Sequence, residues 1–400
     1  MTAVQHTAEN YPFGAVEDLS IHPRCAALRR EAPVSRVSLP YGGEGWLVVG
    51  HEQIRFVLSD RRFSRAALLG ADAPRTTPRI VTDPTILHLD PPDHTRLRRL
   101  VAGAFAPRRA AALRPEVEDV ARDLVDQMRA EGPPSDLVRG LARPLPSMVM
   151  SELLGVPFAD RDQFFAWSAQ VVAGPDADPA SIREAFTGLR RYLSERIAER
   201  RRHPTDDLLS ALVSARDEHD RLSEQELVVF GVTLLLAGLE TTTNQLGNFA
   251  YHLLAEPHRW EWLAADRSRI PVAVEELLRY TPIAATAGFS RVATEDVVVG
   301  DVTVRTGEAL LLDLDAANRD EAVFDHAEEL RLDRAENPHL AFGHGAHFCL
   351  GASLARMELE VGLAALLEGL PGLRLATTTD RLSWYRNRVV RGIEELPVTW

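Results

Sequence analysis

One helix limits what this chain can fold into more than any other feature of the sequence. Ser223-Glu-Gln-Glu226 fits a capping box, in which the Ser hydroxyl accepts an amide of the first turn while the final Glu reaches back. The helix it opens should run to about Leu254, before Pro257, which is about 30 residues or roughly 45 Å. Because residues 227–239 are apolar on nearly every side, this helix must be buried. That apolar window of 13 residues ends at Glu240 and is too short to span a bilayer.

The remaining pattern is mostly helical, with a small β portion. A 45–50 segment between glycines reads as a strand, two segments around Gly300-Asp301 read as a hairpin, and 66–89 reads as a long surface loop. Helical periodicity is found over 93–128 with breaks near Pro107 and Pro115, over 146–170 and 180–202 with a turn at Gly174-Pro175 and Asp178-Pro179, and over 271–280 and 351–367. We therefore expect a single domain over residues 1–400, mainly α with a minor antiparallel β portion.

Composition excludes several classes of function. The formal net charge of −13 argues against nucleic-acid binding, which needs a clustered positive surface. All 45 basic residues are Arg, and without Lys neither Schiff-base chemistry nor a phosphate-loop Lys is possible. Two cysteines, Cys25 and Cys349, make no disulfide scaffold, and the first 14 residues show no signal pattern. These features favour a soluble, cytoplasmic protein that does not enter a membrane.

The strongest chemical signal is the segment Phe342-Gly-His-Gly-Ala-His-Phe-Cys-Leu-Gly351. Its glycines allow a tight loop that approaches a flat ligand, and its Cys lies at the start of the next helix, where free amides stabilise a thiolate. A buried inert Cys and a zinc site from His344, His347 and Cys349 are alternatives, although no second pair of zinc ligands stands nearby. A haem-thiolate loop accounts for the glycines, the helix start and the single Cys together.

This segment resembles the haem-binding loop of the cytochrome P450 family, whose pattern is Phe, two glycines, a basic residue, Cys and a final Gly. Here Phe342 and Gly351 bound the loop and His347 takes the basic position. The resemblance implies a helical core around haem with a small β-rich lobe. It also implies haem b (iron protoporphyrin IX) as cofactor, with Cys349 as the iron ligand.

The run Ala237-Gly238-Leu239-Glu240-Thr241-Thr242 lies inside the long buried helix, where Gly and successive Thr are poor choices. Hydroxyls that bond back to carbonyls one turn earlier would explain the Thr residues, but a buried acid costs several kcal/mol unless compensated. The run resembles the oxygen-activating helix of the family. By that resemblance Glu240 and Thr241 deliver protons to dioxygen, while Ala237 and Gly238 adjoin the cofactor. Gly238 is expected to leave room for oxygen through a local opening of the helix.

Cationic residues at distant positions suggest partners for haem propionates. His94 and Arg98 share a helical face at i and i+4, which taken alone is more typical of a solvated basic face. The family pattern assigns propionate contacts to positions matching His94, Arg98, Arg291 and His347.

Glu276 and Arg279 resemble the structural Glu–Arg pair behind the family's haem loop. The pattern's later Arg aligns with Glu329 here. We therefore expect either that Arg331 or Arg334 substitutes or that the triad is incomplete.

The resemblance implies a haem-thiolate monooxygenase that inserts one oxygen atom from dioxygen into a small, fairly apolar substrate. Hydroxylation or epoxidation in secondary-metabolite tailoring is the expected reaction. Electrons would come from a ferredoxin and a ferredoxin reductase, because no flavin or nicotinamide module fits in the remaining length. Candidates for the docking patch are Arg99, Arg108, Arg109 and Arg356, and candidates for substrate contact are Leu235, Ile283, Thr286 and Val389.

Three other interpretations remain open. A non-catalytic haem-binding sensor needs no proton delivery, so the Glu240–Thr241 pair argues against it. A peroxygenase usually replaces that pair, which this chain retains. A helical zinc protein would bind zinc and show no visible absorption.

Overall fold

The structure is a computed structural model that describes residues 8–400 except 15, 17, 83, 172, 174–176, 218–221 and 387. The chain divides into two compact units, and each is built from separate segments. Unit 1 comprises Met1–Thr95, Leu278–Leu330 and Glu336–Cys349. Unit 2 comprises Arg96–Leu277, Arg331–Ala335 and Leu350–Trp400.

The predominance of helix confirms the mainly α prediction. The α-helices are α1 (Pro23–Glu31), α2 (His51–Ser59), α3 (Asp93–Val101), α4 (Pro107–Glu131), α5 (Pro144–Leu154), α6 (Arg161–Val171), α7 (Pro179–Arg202), α8 (Leu208–Asp217), α9 (Glu224–Leu254), α10 (Pro257–Ala265), α11 (Ile270–Tyr280), α12 (Leu314–Ala317) and α13 (Ala352–Gly369). The strands are β1 (Glu9–Asn10), β2 (Val34–Ser38), β3 (Glu44–Val48), β4 (Phe63–Ser64), β5 (Ser135–Asp136), β6 (Gly288–Ala293), β7 (Val297–Val299), β8 (Val302–Val304), β9 (Ala309–Leu312), β10 (Arg374–Leu375) and β11 (Pro397–Thr399).

Unit 1 is organised around a six-stranded sheet in the order β1-β2-β3-β9-β6-β4. Successive side chains of β3 alternate between two apolar clusters, with Leu47 in one and Val48 in the other, so both faces of the sheet are buried. The β1–β2 and β3–β9 pairs are parallel, so the β portion is mixed and not purely antiparallel as predicted. The predicted hairpin is confirmed as β7 and β8, with Gly300 at φ 58° in the turn.

The core of unit 2 is α9, which packs against α5, α7 and α13. Its capping box is present, with the Ser223 hydroxyl and the Glu226 carboxylate each accepting an amide of the other residue, and its 31 residues match the predicted span. Among the described residues, α9 alone has the length and apolar character to cross a membrane, and 67% of its apolar window is buried in the protein. The helix therefore supplies the core of unit 2, as its apolar surface predicts.

Two predicted helix boundaries were wrong for identifiable reasons. The predicted helix over 146–170 is two helices, because Gly155 ends α5 in the left-handed conformation at φ 62°. Pro107 does begin a helix, but Pro115 lies inside α4 and does not break it. The buried stripe of α4 includes Leu113 and Val117 on either side of that proline, so packing holds the helix together. The turn expected at Gly174-Pro175 lies outside the described residues, while Asp178 caps α7.

The expected third member of the Glu–Arg motif is Arg334. Its Nε donates to Glu276 Oε2 at 2.9 Å, and Glu276 Oε1 accepts the amide of Arg331 at 2.9 Å, all within unit 2. In unit 1, Arg279 donates to the carbonyls of Asn318, Ala327 and Glu329. These contacts give both motif residues structural partners in the segment that precedes the Cys349 loop.

Candidate active site

The Cys349 loop of unit 1 is shaped by two glycines. Gly343 and Gly345 both have φ of 70°, and the Cys349 amide donates to the Phe342 carbonyl at 2.8 Å. A Cβ at Gly345 would collide with the carbonyl oxygen of Leu58 in α2, so only glycine permits this close approach. The loop leaves Cys349 partly exposed and outside any disulfide, three residues before α13 begins.

The structure does not assemble a zinc site from this loop. Within the described part of the chain, no group of three or more His, Cys, Asp or Glu side chains is placed to hold a metal ion. At the end of the loop, a Cβ on Gly351 would have no atom within 4 Å, so protein packing does not require that glycine.

Two predicted propionate partners in unit 1 lie side by side. The His94 and His347 rings have centroids 4.1 Å apart, and His94 is 2% exposed. His347 belongs to the 3-10 turn Gly345–His347, which carries its ring to α3. The loop that holds Cys349 thus also positions one of the expected propionate contacts.

Arg291, a third predicted partner, is buried beside a second Arg that the sequence did not single out. Arg291 donates to the carbonyls of Phe289 at 2.7 Å and Ser290 at 3.2 Å. Arg65 donates to the carbonyls of Leu87 at 2.7 Å and Ser290 at 3.0 Å. Among the described residues, no carboxylate lies within the 4.0 Å ion-pair distance of either guanidinium.

The electrostatics of this Arg pair call for an anion. Burial and then the charge of Arg65 lower the pKa of Arg291 to about 9, although Asp90 opposes the shift. Burial likewise lowers the pKa of Arg65 to about 10. Nearby, burial and then the charges of Arg65, Arg79 and Arg291 lower the pKa of His88 to about 4. Buried cations without paired carboxylates fit the two propionates of a haem, so the residues of unit 1 suit that cofactor.

In unit 2, the middle of α9 exposes one narrow face. Ala237 and Thr241 are exposed at i and i+4, whereas Leu235 is 2% exposed, Glu240 5% and Thr242 6%. The Thr241 hydroxyl donates to the Ala237 carbonyl at 2.8 Å, so the back-bonding interpretation is confirmed, while the site role of Thr241 stays a prediction. The helix therefore presents a small residue and a hydroxyl on the one face that is not packed.

The structure gives Gly238 a different role from the one expected. A Cβ at this position would collide with the sulfur of Met150 in α5, so the glycine makes room for that side chain. The helix is continuous through Gly238, without the break that a local opening would produce. Close packing of α9 on α5 explains this glycine without reference to a ligand.

Glu240 is a buried acid with cationic neighbours in unit 2. Its Oε2 lies 3.8 Å from Nη1 of Arg388, beyond hydrogen-bond distance. Burial raises the pKa of Glu240, while the charges of Arg388 and Arg143 and the Asn244 amide oppose the rise. A carboxyl with a raised pKa and loosely held oxygens is suited to take up and release a proton.

The remaining predicted residues are distributed over both units. In unit 1, Ile283 is partly buried and the Thr286 hydroxyl lies 3.1 Å from that of Thr76. In unit 2, Val389 is 41% exposed and Arg98 is half-buried in the last turn of α3. These positions leave the predicted substrate and propionate roles as predictions.

Sequence reasoning missed Arg65, Arg143 and Arg388. Nothing in the local pattern separates them from the other Arg residues of the chain, and their importance comes from burial and from neighbours distant in sequence. One signal was readable: Glu240, Asn244 and Asn248 recur every four residues on one face of an apolar helix. Such a polar stripe predicts a polar partner segment.

Comparison with known proteins agrees with this fold. Residues 180–370 match the family model for cytochrome P450. Mycinamicin IV hydroxylase/epoxidase of Micromonospora griseorubida is 47% identical over the full length of both chains. Nocardicin C N-oxygenase of Nocardia uniformis subsp. tsuyamanensis is 47% identical over 98% of each. The crystal structure of the LnmA cytochrome P450 hydroxylase of Streptomyces atroolivaceus has a TM-score of 0.92 at 47% identity, covering 98% of this chain and 100% of that one.

Identity of this order over the full length of the chain shows its family. The chain belongs to the cytochrome P450 family. It is a haem-dependent monooxygenase that uses dioxygen and electrons from a redox partner.

Proposed function

We propose that this monooxygenase binds haem b through Cys349 and oxidises a small, fairly apolar secondary metabolite by hydroxylation or epoxidation. When bound through a thiolate, the haem supplies the capacity to activate dioxygen, because the cysteinate donates electron density that favours O–O cleavage. His94, Arg98, Arg291 and His347 hold its propionates, and Phe342, Ala237 and Gly351 adjoin it. The Arg291–Arg65 pair supports this assignment, since it concentrates buried positive charge without a paired carboxylate.

The observation that carries the monooxygenase proposal is the exposed face of α9. The Thr241 hydroxyl lies on that face, and the preceding residue, Glu240, is buried. In our proposal Glu240 takes up a proton and Thr241 orients its delivery to dioxygen. This pair has no use in a protein that only senses a haem ligand.

The proposed substrate contacts are Leu235, Ile283, Thr286 and Val389. To these we add Phe289, whose apolar side chain is 52% exposed. Its backbone φ of 49° is strained for a non-glycine residue. Its own carbonyl accepts Arg291 at 2.7 Å, which stabilises that strained backbone. The exposed apolar side chains of Phe289 and Val389 favour an apolar compound. The names of the relatives, which refer to mycinamicin, nocardicin and leinamycin, support secondary-metabolite tailoring.

We further propose a cytoplasmic location and a ferredoxin with its reductase as the electron source. Arg99 and Arg108 are exposed on α3 and α4, and Arg109 follows them. None of the three has a carboxylate within 4.0 Å among the described residues, so this patch is free to attract an acidic ferredoxin. Arg356 forms a bidentate pair with Glu275 at 2.6 and 2.9 Å, so we leave it out of the patch.

The test compares Thr241→Ala with Thr233→Ala. Both hydroxyls donate to the carbonyl four residues earlier at 2.8 Å in the same helix, so Thr233→Ala controls for the loss of that hydrogen bond. A compound is first chosen by its ability to shift the ferric spin state, and product and oxygen consumption are then measured. Thr241→Ala should lower the product formed per oxygen consumed about tenfold or more, while Thr233→Ala matches the wild type. Equal ratios in all three proteins would refute the proposed role of Thr241.

A further inference from the structure

The C-terminal hairpin, which we define as residues 384–386 and 388–393, lies against α9 in unit 2. Trp384 pairs with Ile393 in an antiparallel bridge, and the Ile393 amide donates to Asn248 Oδ1 at 3.3 Å. A Cβ at Gly392 would collide with the Asn244 side chain, so the hairpin can approach this closely only with glycine there. The hairpin is thus docked on the polar stripe of α9 that begins at Glu240.

Two contacts hold Arg388 in this hairpin, and a third holds the ring beneath it. Its backbone bridges to Ala173, and its guanidinium lies over the Tyr385 ring at 3.7 Å. The Tyr385 hydroxyl accepts a hydrogen bond from Arg143 at 3.4 Å. These contacts fix the Arg388 cation. Within the part of the chain that the structure describes, its carboxylate neighbour is Glu240, whose Oε2 lies 3.8 Å away.

The Arg388–Glu240 pair has one partly exposed member and one buried member. The Arg388 side chain is 24% exposed, whereas that of Glu240 is 6% exposed. At 3.8 Å the two groups attract each other without forming a hydrogen bond. Glu240 can therefore turn without first breaking a strong bond. On the neighbouring exposed face of α9 lies the Thr241 hydroxyl.

We propose that Arg388 is a positioning residue for Glu240: its guanidinium, held on the Tyr385 ring, favours the carboxylate form of Glu240 and directs it to the C-terminal hairpin until a proton is taken up. The proton comes from water at the hairpin, binds a Glu240 oxygen as the ion pair separates, and leaves toward the Thr241 hydroxyl. No bond other than those to the proton is made or broken. This inference rests on the proposed function, since it assigns a source to the protons that oxygen activation consumes.

The charged groups that act on Glu240 among the described residues are Arg388 in the hairpin and Arg143 before α5. Removal of the Arg388 charge disfavours the carboxylate form and raises the pKa of Glu240. Arg388→Gln removes that charge, and Arg388→Lys retains it. Arg381→Gln is the matched control, because Arg381 is an exposed Arg close by in the same C-terminal segment with no carboxylate in ion-pair range within the described chain.

The primary readout is the infrared C=O stretch of the protonated carboxyl, assigned to Glu240 by its loss in Glu240→Gln and titrated with pH. We expect the midpoint to move to higher pH in Arg388→Gln and to stay in place in Arg388→Lys and Arg381→Gln. An unmoved midpoint in Arg388→Gln would overturn the inference. So would the lack of a Glu240 band at every pH, because the carboxylate would then never take a proton. An unchanged visible spectrum of the haem checks that each variant is folded.

A second readout is the pH profile of product formed per electron consumed. In the wild type this ratio should fall as the pH rises through the Glu240 midpoint, and in Arg388→Gln the fall should move to higher pH. A shifted profile would not follow from a purely structural role of Arg388. If the infrared midpoint moves but no variant forms product, the proposed function fails while the Arg388 contact stands. If product forms and the midpoint is unmoved, only the inference fails.

Discussion

The buried ion pair between Glu276 and Arg334 allows a sharp test of how the segment before the Cys349 loop is stabilised. The Glu276 side chain is 0% exposed and that of Arg334 is 7% exposed, with Nε and Oε2 at 2.9 Å. Arg334→Met keeps much of the side-chain volume and removes the charge. A hydrogen bond to a charged group contributes about 1.5–3 kcal/mol, and leaving its partner charge buried brings the total loss to about 3–5 kcal/mol.

The assay is denaturant unfolding followed by tryptophan fluorescence, with the free energy of unfolding compared between variants. Arg122→Met is the control, because the Arg122–Asp119 pair lies on the surface of α4 and should leave stability unchanged within error. The double variant Arg334→Met with Glu276→Leu should lose less than the sum of the two single variants, since no charge is then left behind. A loss below about 1 kcal/mol in Arg334→Met would refute the reasoning.

Two further predictions concern unit 1. Gly345→Ala should lower the free energy of unfolding by about 1–3 kcal/mol and reduce haem content, because the added Cβ meets the Leu58 carbonyl and the φ is 70°. The control, Gly307→Ala, has a φ of 85° but open space around it, so it should lower the free energy of unfolding by only about 1 kcal/mol. Equal losses in the two variants would contradict the packing argument. Folding lowers the pKa of His88 to about 4, so its contribution to stability is present above its unfolded pKa of about 6.5 and is lost as the pH falls toward 4. When the pH is lowered from 7 to 4, the free energy of unfolding should therefore fall by about 1–3 kcal/mol less in His88→Gln than in the wild type. An identical fall in both proteins would show that His88 is not the responsible group.

The sequence predicted best where local chemistry and tertiary packing agree. The capping box at Ser223 and the apolar surface of α9 demand the same buried helix, and the structure has it over Glu224–Leu254. At Pro115 the two disagree. The proline disfavours helix locally, but buried residues on both sides hold α4 together, and only the fold reveals that.

The limits of prediction at the site have a similar cause. The loop around Cys349 and the Glu240–Thr241 pair carry recognisable residues at fixed spacing, so the sequence indicated their chemistry. The roles of Arg65 and Arg388 depend on which carbonyls, rings and carboxylates reach them from distant segments. Position in sequence does not encode that information. Likewise, the choice between Arg331 and Arg334 as the third member of the Glu–Arg motif required the structure, in which the Arg334 side chain donates to Glu276.

The most direct test of the account is the absorption spectrum of the reduced, carbon-monoxide-treated protein. The wild type should show the red-shifted Soret band of a thiolate-ligated haem, and Cys349→Ser should lose it. Cys25→Ser is the matched control, because Cys25 is buried beside Asp313 in unit 1 and should leave the band unchanged. A colourless wild-type protein, or a Cys349→Ser variant with the wild-type band, would contradict the assignment of Cys349 as the iron ligand.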